Sequence, residues 1–138
     1  MRRRAFVYIT REIPEGRQLL VFTHRVPDAP DVQVPGGTIE PDETPLDGAV
    51  REAREETGLS RFGTPRLLAE EVWHGAEETV ECYFVHLPLA EVAPDSWEHV
   101  VSAGELDQGM VFALSWATLP DTNGLWPHMA KYVYHLLR

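Results

Sequence analysis

The sequence predicts an α/β fold in which two helices pack on opposite faces of a mixed sheet. Two observations carry that reading. Short apolar runs rich in β-branched and aromatic residues recur along the chain, separated by clusters of Gly, Pro, Asp and Glu, as strands parted by turns do. Between and after them lie two segments with helical spacing, one of them with both caps written into the sequence. The chain has 138 residues, a length that suits one domain spanning 1–138 with one sizeable core.

Taken in order, residues 5–9 read as a strand buried on both faces, and residues 18–23, with Leu19, Leu20, Val21 and Phe22, as a second. Residues 25–31 carry two prolines and two aspartates and read as a loop. A short strand is expected at 32–34, ending at Pro35-Gly36-Gly37. The best-defined element follows. Thr44 is a good helix N-cap, Pro45 suits the first helical position, and Asp47 places a carboxylate in the first turn. Gly58 stands where a left-handed C-terminal residue is wanted, so the helix is expected over 45–57. Leu46, Ala49, Val50, Ala53 and Thr57 recur at helical spacing and predict its buried stripe.

Residues 65–73 and 79–87 read as two strands parted by the polar turn at 75–78. Residues 97–101 and 110–116 are two more, and 120–124 a turn. Residues 126–137 are expected to close the chain as one amphipathic helix, with Pro127 near its start.

Composition excludes several functions. The formal net charge is −10, and an anionic surface repels nucleic-acid backbones, so no nucleic-acid partner is expected. The one cysteine, Cys82, has no internal disulfide partner and sits in an apolar run, as a small core residue does. Met1-Arg2-Arg3-Arg4 has the charge of a signal-peptide start, but the apolar run at 5–9 is too short for a signal core. No run is long enough to span a bilayer. The expectation is a cytoplasmic protein with no membrane partner; a homodimer is compatible with it.

On the helix at 45–57, Glu52, Glu55 and Glu56 fall within an arc of roughly 100°, opposite the expected apolar stripe. Arg51, Arg54 and Asp47 lie on the other flank. An acidic run of this kind is, by itself, an ordinary solvated face. The Pro35-Gly36-Gly37 turn just before the helix changes that, because backbone groups there can approach a metal or a phosphate closely. An oxygen-rich cluster suits a hard cation such as Mg²⁺.

The stretch at 37–59, GTIEPDETPLDGAVREAREETGL, resembles the box of the Nudix hydrolase family, G-x5-E-x7-R-E-U-x-E-E-x-G-U, with U aliphatic. Gly37, Glu43, Arg51, Glu52, Glu55, Glu56, Gly58 and Leu59 fill the fixed positions. Ala53 fills the inner aliphatic position with a smaller residue than is usual there. The resemblance implies the Nudix fold, an α/β/α sandwich around a central mixed sheet. It implies Glu52, Glu55 and Glu56 as metal-binding glutamates, the Gly36 carbonyl as a further metal ligand, and Arg51 as the residue that orients a box glutamate. It gives Glu43 a supporting role. It also implies Mg²⁺ or Mn²⁺, and hydrolysis of a nucleoside diphosphate linked to another moiety. Family members recruit an acid from outside the box some 40 residues downstream; Glu98 and Glu105 stand at that offset.

Substrate is less defined. The subgroup signatures of coenzyme A, NADH, ADP-ribose and diadenosine-polyphosphate hydrolases are not found, which leaves a nucleoside triphosphate or a nucleotide-sugar type of substrate. The alternative from another class is a non-catalytic Nudix-type nucleotide or sugar-nucleotide sensor. Such domains usually lose box glutamates, and here all are present. None of the six histidines shows zinc-site spacing, so each is read as structural or exposed; His24 and His74 flank loops expected to open toward substrate. Trp73 is read as core, with base stacking as the other option. Trp97, Trp116 and Trp126 are read as core or interface.

Overall fold

The computed structural model describes residues 1–24, 32–102, 109–122 and 124–137. The run at 5–9 lies at the centre of a longer strand, β1 (Arg2–Ile13). β1 runs parallel to β5 (Thr79–Pro88), in register from Arg2↔Val80 to Thr10↔Pro88. Strands buried on both faces, as this pair is, need apolar residues at consecutive positions. Their alternation divides the core in two: Ala5, Val7 and Ile9 join one cluster, and Phe6 and Tyr8 the other.

The chain turns back from β1 into β2 (Gly16–His24), and the two pair from Ile13↔Gly16 to Thr10↔Leu19 before they part. Into that fork fits β3 (Gly36–Thr38), antiparallel to β1, while Gln33, just before it, makes an isolated bridge to Phe22 of β2. With β4 (Arg66–His74), β6 (Ser96–Val100) and β7 (Val111–Thr118), the sheet order is β4-β5-β1-β2-β7-β6, with β3 on β1. One parallel pair among antiparallel ones makes the sheet mixed, as expected.

The expectation of a strand at 32–34 is corrected. Val32 and Gln33 make only isolated bridges, and the regular strand begins at Gly36. The reason is close approach: a Cβ at Gly36 would collide with the Ala5 carbonyl oxygen, so only this glycine can lie against β1 here.

The first helix, α1 (Pro45–Thr57), has the expected bounds. Thr44 Oγ1 accepts from Asp47 N at 3.1 Å, and Gly58 ends the helix at φ 78° with its N–H on the Arg54 carbonyl. Ala49 and Ala53 pack against Ala5, Val7 and Ile9 on one face of the sheet.

The single closing helix at 126–137 is also corrected. A short α2 (Pro127–Ala130) is followed by a 3₁₀ turn at Val133–Leu136. The run Tyr132-Val133-Tyr134-His135 is aromatic and β-branched, and so a poor helix former. What fixes it is tertiary. Met129, Val133 and Leu136 are buried against Tyr8 and Phe84, and Tyr8 Oη donates to the Met129 carbonyl at 2.6 Å. Each such burial contributes about 2 kcal/mol, more than the propensity of any one residue. The two helical segments thus cover opposite faces of the sheet, as the sequence predicts.

Candidate active site

The face that α1 turns inward differs from the expected one. Its buried residues are Gly48, Ala49, Glu52, Ala53, Glu56 and Thr57, while Leu46 and Val50 are only partly covered. Glu52 is 5% and Glu56 2% exposed. The carboxylates therefore do not form a solvated face opposite the stripe; two of them look at β3. Glycine makes this arrangement fit. A Cβ on Gly37 would land on the Glu52 carboxylate. Antiparallel pairing with β1 leaves the N–H and carbonyl of Gly36 and Thr38 off that ladder. The freed Gly36 N–H donates to Glu56 Oε1 at 2.9 Å, and the Thr38 carbonyl accepts from Arg51 Nη2 at 3.0 Å.

Arg51 is the hub. Its Nε and Nη2 grip Glu43, and its Nη1 donates to Glu52 Oε1 at 3.0 Å and Glu55 Oε2 at 3.2 Å. The guanidinium fork suits several carboxylates at once. Its hydrogen bond, with a smaller push the other way from burial, holds the Glu43 carboxyl below the usual carboxylate range; Glu43 in turn raises the Arg51 guanidinium. Arg3 adds a backbone tie, with Nη2 on the Glu40 and Glu43 carbonyls.

Glu52, Glu55 and Glu56 lie on α1 and the Gly36 carbonyl on β3, all of them oxygen donors, and the absence of a side chain at Gly37 leaves the Glu52 carboxylate its place. The chemistry of these donors fits a hard divalent cation. Among the described residues no three carboxylates or imidazoles stand at metal-binding geometry. The cation that Glu43, Glu52 and Glu55 share here is Arg51.

The family model for the NUDIX domain matches residues 1–136. This chain belongs to the Nudix family. Over 104 residues it is 36% identical to diphosphoinositol polyphosphate phosphohydrolase 2 of Mus musculus, covering 75% of this chain and 54% of that protein, with the same figures for the Homo sapiens protein. The chain thus spans about half the length of these curated relatives. Its fold is also that of a Nudix hydrolase from M. smegmatis (TM-score 0.63, 23% identity, 96% of this chain and 82% of that one). A C. elegans Ap4A hydrolase is similar in fold as well (TM-score 0.68, 13% identity, 99% and 95%).

The acids expected from outside the Nudix box fare differently. Glu105 lies outside the described residues. Glu98 is exposed on β6 and lines an open cavity of about 680 Å³ with His24, His99 and Met110. β6 is tied to the C-terminal end of the Nudix helix: Trp97 Nε1 donates to the Thr57 carbonyl at 2.9 Å, and His99 Nε2 meets the Glu55 carbonyl at 2.9 Å. Most histidines follow the structural reading, with His86 buried on Thr10 Oγ1. His24 stacks edge-on to Phe112, and its Nδ1 is buried with no hydrogen bond among the described residues. His74 is exposed at the end of β4.

On the other face of the sheet is a second constellation that the sequence reading did not assemble. A cavity of about 340 Å³ is lined by Arg4, Phe6, Gln33, Trp73, Trp126 and Met129. Trp73 packs, partly buried, against the core cluster of this face, as read from the sequence, and also forms a wall of the cavity. Glu71 holds it, accepting from Trp73 Nε1 at 2.8 Å, from Lys131 Nζ at 2.6 Å and from the Tyr132 hydroxyl. Burial would raise the Glu71 carboxyl, but these three donors bring it down to about 2. The one available signal was alternation: Glu71 and Trp73 share a face of β4, as do Arg4 and Phe6 on β1. Nothing in it pairs β4 with residues some 60 positions later. Among the described residues no helix is long and apolar enough to cross a membrane.

Proposed function

We propose that this chain hydrolyses a phosphoanhydride bond in a nucleoside diphosphate linked to another moiety, with a divalent cation, Mg²⁺ or Mn²⁺. The observation that carries this reading is the pair of buried glutamates, Glu52 and Glu56, turned toward Gly36 and Gly37. Arg51 meets Glu52 from one flank and the Gly36 N–H meets Glu56, and carboxylates gathered and held in this way are the ligand type a hard cation takes. Glu52, Glu55, Glu56 and the Gly36 carbonyl would hold the metal, which when bound neutralises diphosphate charge and acts as a Lewis acid. Arg51 keeps Glu52 and Glu55 in place from the flank, and Glu43 fixes Arg51. Water is the nucleophile, because no activated serine or cysteine lies in the box. A carboxylate takes its proton: Glu98, Glu105 or Glu52.

The curated relatives act, by name, on a polyphosphorylated inositol. Such a ring calls for several cations. The cavity on the α2 face offers aromatic walls and one guanidinium, which favours a nucleotide. The net charge of −10 favours a small soluble substrate over a nucleic acid.

The test is a panel of nucleoside triphosphates, nucleotide sugars and diphosphoinositol polyphosphates, assayed with Mg²⁺ and with Mn²⁺ on the wild type and on Glu56→Gln. Metal-dependent release of phosphate or diphosphate from a nucleotide, lost in Glu56→Gln, supports the proposal. Turnover restricted to the inositol substrates overturns its substrate part, and no turnover of any member overturns the whole. Rates of Glu98→Gln and Glu105→Gln across pH then identify the base. The true partner lowers turnover by roughly 10- to 10⁴-fold and alters the profile; if neither does, Glu52 is the base.

A further inference from the structure

Taking Glu55 and Glu56 as metal ligands, as proposed above, we infer that His99 is a positioning residue for the reaction. It holds the last turn of α1, on which both glutamates stand, by a hydrogen bond to the Glu55 backbone carbonyl.

An α-helix leaves the carbonyls of its last turn without donors of its own. In α1 these belong to Arg54, Glu55, Glu56 and Thr57. The Gly58 N–H takes the Arg54 carbonyl at 3.1 Å. The following amide, Leu59 N, turns to Thr57 Oγ1 at 3.0 Å, so the helix ends on a single left-handed bond. β6 supplies donors that the helix end lacks. Trp97 Nε1 donates to the Thr57 carbonyl at 2.9 Å, and His99 Nε2 meets the Glu55 carbonyl at 2.9 Å. Ser102 N and Oγ approach the same Glu55 oxygen at 3.3 and 3.5 Å, longer and weaker contacts.

The geometry singles out His99. A carbonyl oxygen only accepts, so Nε2 carries the proton of this bond. The other side of the ring lies against Gly58, where a Cβ would stand 3.0 Å from His99 Nδ1. Gly58 therefore serves twice. Its φ of 78° ends the helix, and its bare Cα gives the imidazole a seat. His99 also stands on rigid ground, in register with Phe112 of β7, which is 1% exposed. Trp97 and His99 are half-buried on the α1 side of β6, while Glu98 between them is exposed, as strand alternation requires. The contacts of β6 side chains with the Nudix helix thus run through Trp97 and His99.

The two glutamates are already held at their tips, Glu55 by Arg51 Nη1 and Glu56 by the Gly36 N–H. The bond from His99 fixes the backbone from which they spring. Helix ends fray, and ligands must be held within about 0.5 Å to act together. Loss of a partner behind a metal ligand costs on the order of 10- to 100-fold in affinity or activity. An effect passed through the backbone belongs at the low end of that range.

The experiment compares wild type with His99→Phe, His99→Asn, His99→Gln and Glu56→Gln. Phe keeps a ring without a donor, the Asn amide is too short to reach the carbonyl, and Gln returns an N–H close to the place of Nε2. Mn²⁺ affinity is read at 25 °C from the EPR signal of the free ion, with no nucleotide present. Melting temperatures, and kcat and KM at saturating Mn²⁺ on the best substrate of the panel above, are measured beside it. Mn²⁺ affinity and kcat should each fall about tenfold in His99→Phe, with KM nearly unchanged, and His99→Gln should recover most of both. If His99→Phe does not fold, His99→Asn carries the same comparison. Wild-type Mn²⁺ affinity and kcat in the donor-less variant, with only the melting temperature lowered, overturn the assignment. So does a long-range ¹⁵N–¹H spectrum of the wild type in which His99 is protonated at Nδ1 alone. Glu56→Gln separates this role from the function it rests on. If Glu56→Gln binds Mn²⁺ as the wild type does, the metal assignment fails and the positioning role with it. If Glu56→Gln binds weakly while His99→Phe binds normally, the metal site stands and only the role of His99 fails.

Discussion

The two faces of the sheet carry hubs of opposite sign. On the α1 face one cation, Arg51, gathers the carboxylates of Glu43, Glu52 and Glu55. On the α2 face one carboxylate, Glu71, gathers the donors of Trp73, Lys131 and Tyr132. The first binds one helix to the loop before it, through carboxylates no more than 8 positions from Arg51 in sequence. The second joins a strand to a segment 60 positions later. The difference separates two kinds of pre-organisation. Arg51 restrains acids that are proposed to do chemistry, while Glu71 braces aromatic walls that are proposed to recognise substrate. Breaking the first should act on rate and on stability. Breaking the second should act on binding.

The largest effect expected is on rate. Glu56→Gln keeps the shape of a buried side chain and an acceptor for the Gly36 N–H, but removes a proposed metal ligand. We expect kcat to fall on the order of 10³-fold, with a melting temperature within a few degrees of wild type. Steady-state kinetics at saturating Mg²⁺ are the check, and wild-type turnover would remove Glu56 from the metal site.

Arg51→Met comes next and is read in stability. Removing a partly buried cation leaves carboxylates facing each other, at a cost of about 3 kcal/mol. The pH dependence has a definite sign. Glu43 has a lowered carboxyl in the fold, so its contribution is complete above the ordinary carboxylate range and is lost as pH falls through its folded value. The gap between variant and wild type should be widest near neutral pH and close on acidification. Urea unfolding at pH 7 and at pH 4 measures it, and a gap that widens in acid would contradict the hub.

Glu71→Gln should do less. It loses the ion pair with Lys131 but keeps an acceptor for Trp73, a loss of about 1 to 2 kcal/mol. Glu71 is held at about 2 against an ordinary 4.5. Its contribution is therefore complete above about 4.5 and fades as pH falls toward 2, so the variant should converge on wild type in that window. At neutral pH KM should rise and kcat change little. A kcat loss as large as that of Glu56→Gln would mean that Glu71 serves the reacting atoms, and the contrast between the hubs would fail.

The same contrast explains what was legible in the sequence. The Nudix helix, its caps, its glutamates and Arg51 sit in one stretch of 23 residues, where spacing alone fixes what can touch. Even there, the helical wheel put the acids on the wrong side. It ranked positions by apolarity, whereas Gly37 leaves room for the Glu52 carboxylate and the Gly36 N–H meets Glu56, and hydrophobicity anticipates neither. The α2 face was hidden because its members come from distant segments. Arg4 stood in the basic run at 2–4, Glu71 in a strand without an assigned partner, and Tyr132 to His135 in the expected continuation of a helix. Their roles depend on which strands become neighbours.

The smallest effect tests locality itself. α1 carries its own start signal, with Thr44 Oγ1 accepting from Asp47 N, whereas α2 begins at Trp126 with no side-chain cap hydrogen bond. If local signals position the carboxylates, Thr44→Ala should cost about 1 kcal/mol, as loss of an N-cap does. The first turn should fray while the turn bearing Glu52 and Glu56 persists, because Ala49 and Ala53 remain packed on β1. Activity should then fall by less than twofold at 25 °C, with a lower melting temperature. Hydrogen exchange at the Asp47 and Gly48 amides should quicken, and exchange at the Glu52 and Glu56 amides should not. Fast exchange throughout the helix would instead make the cap a requirement for the site, and α1 would prove less supported by the core than its two buried alanines indicate.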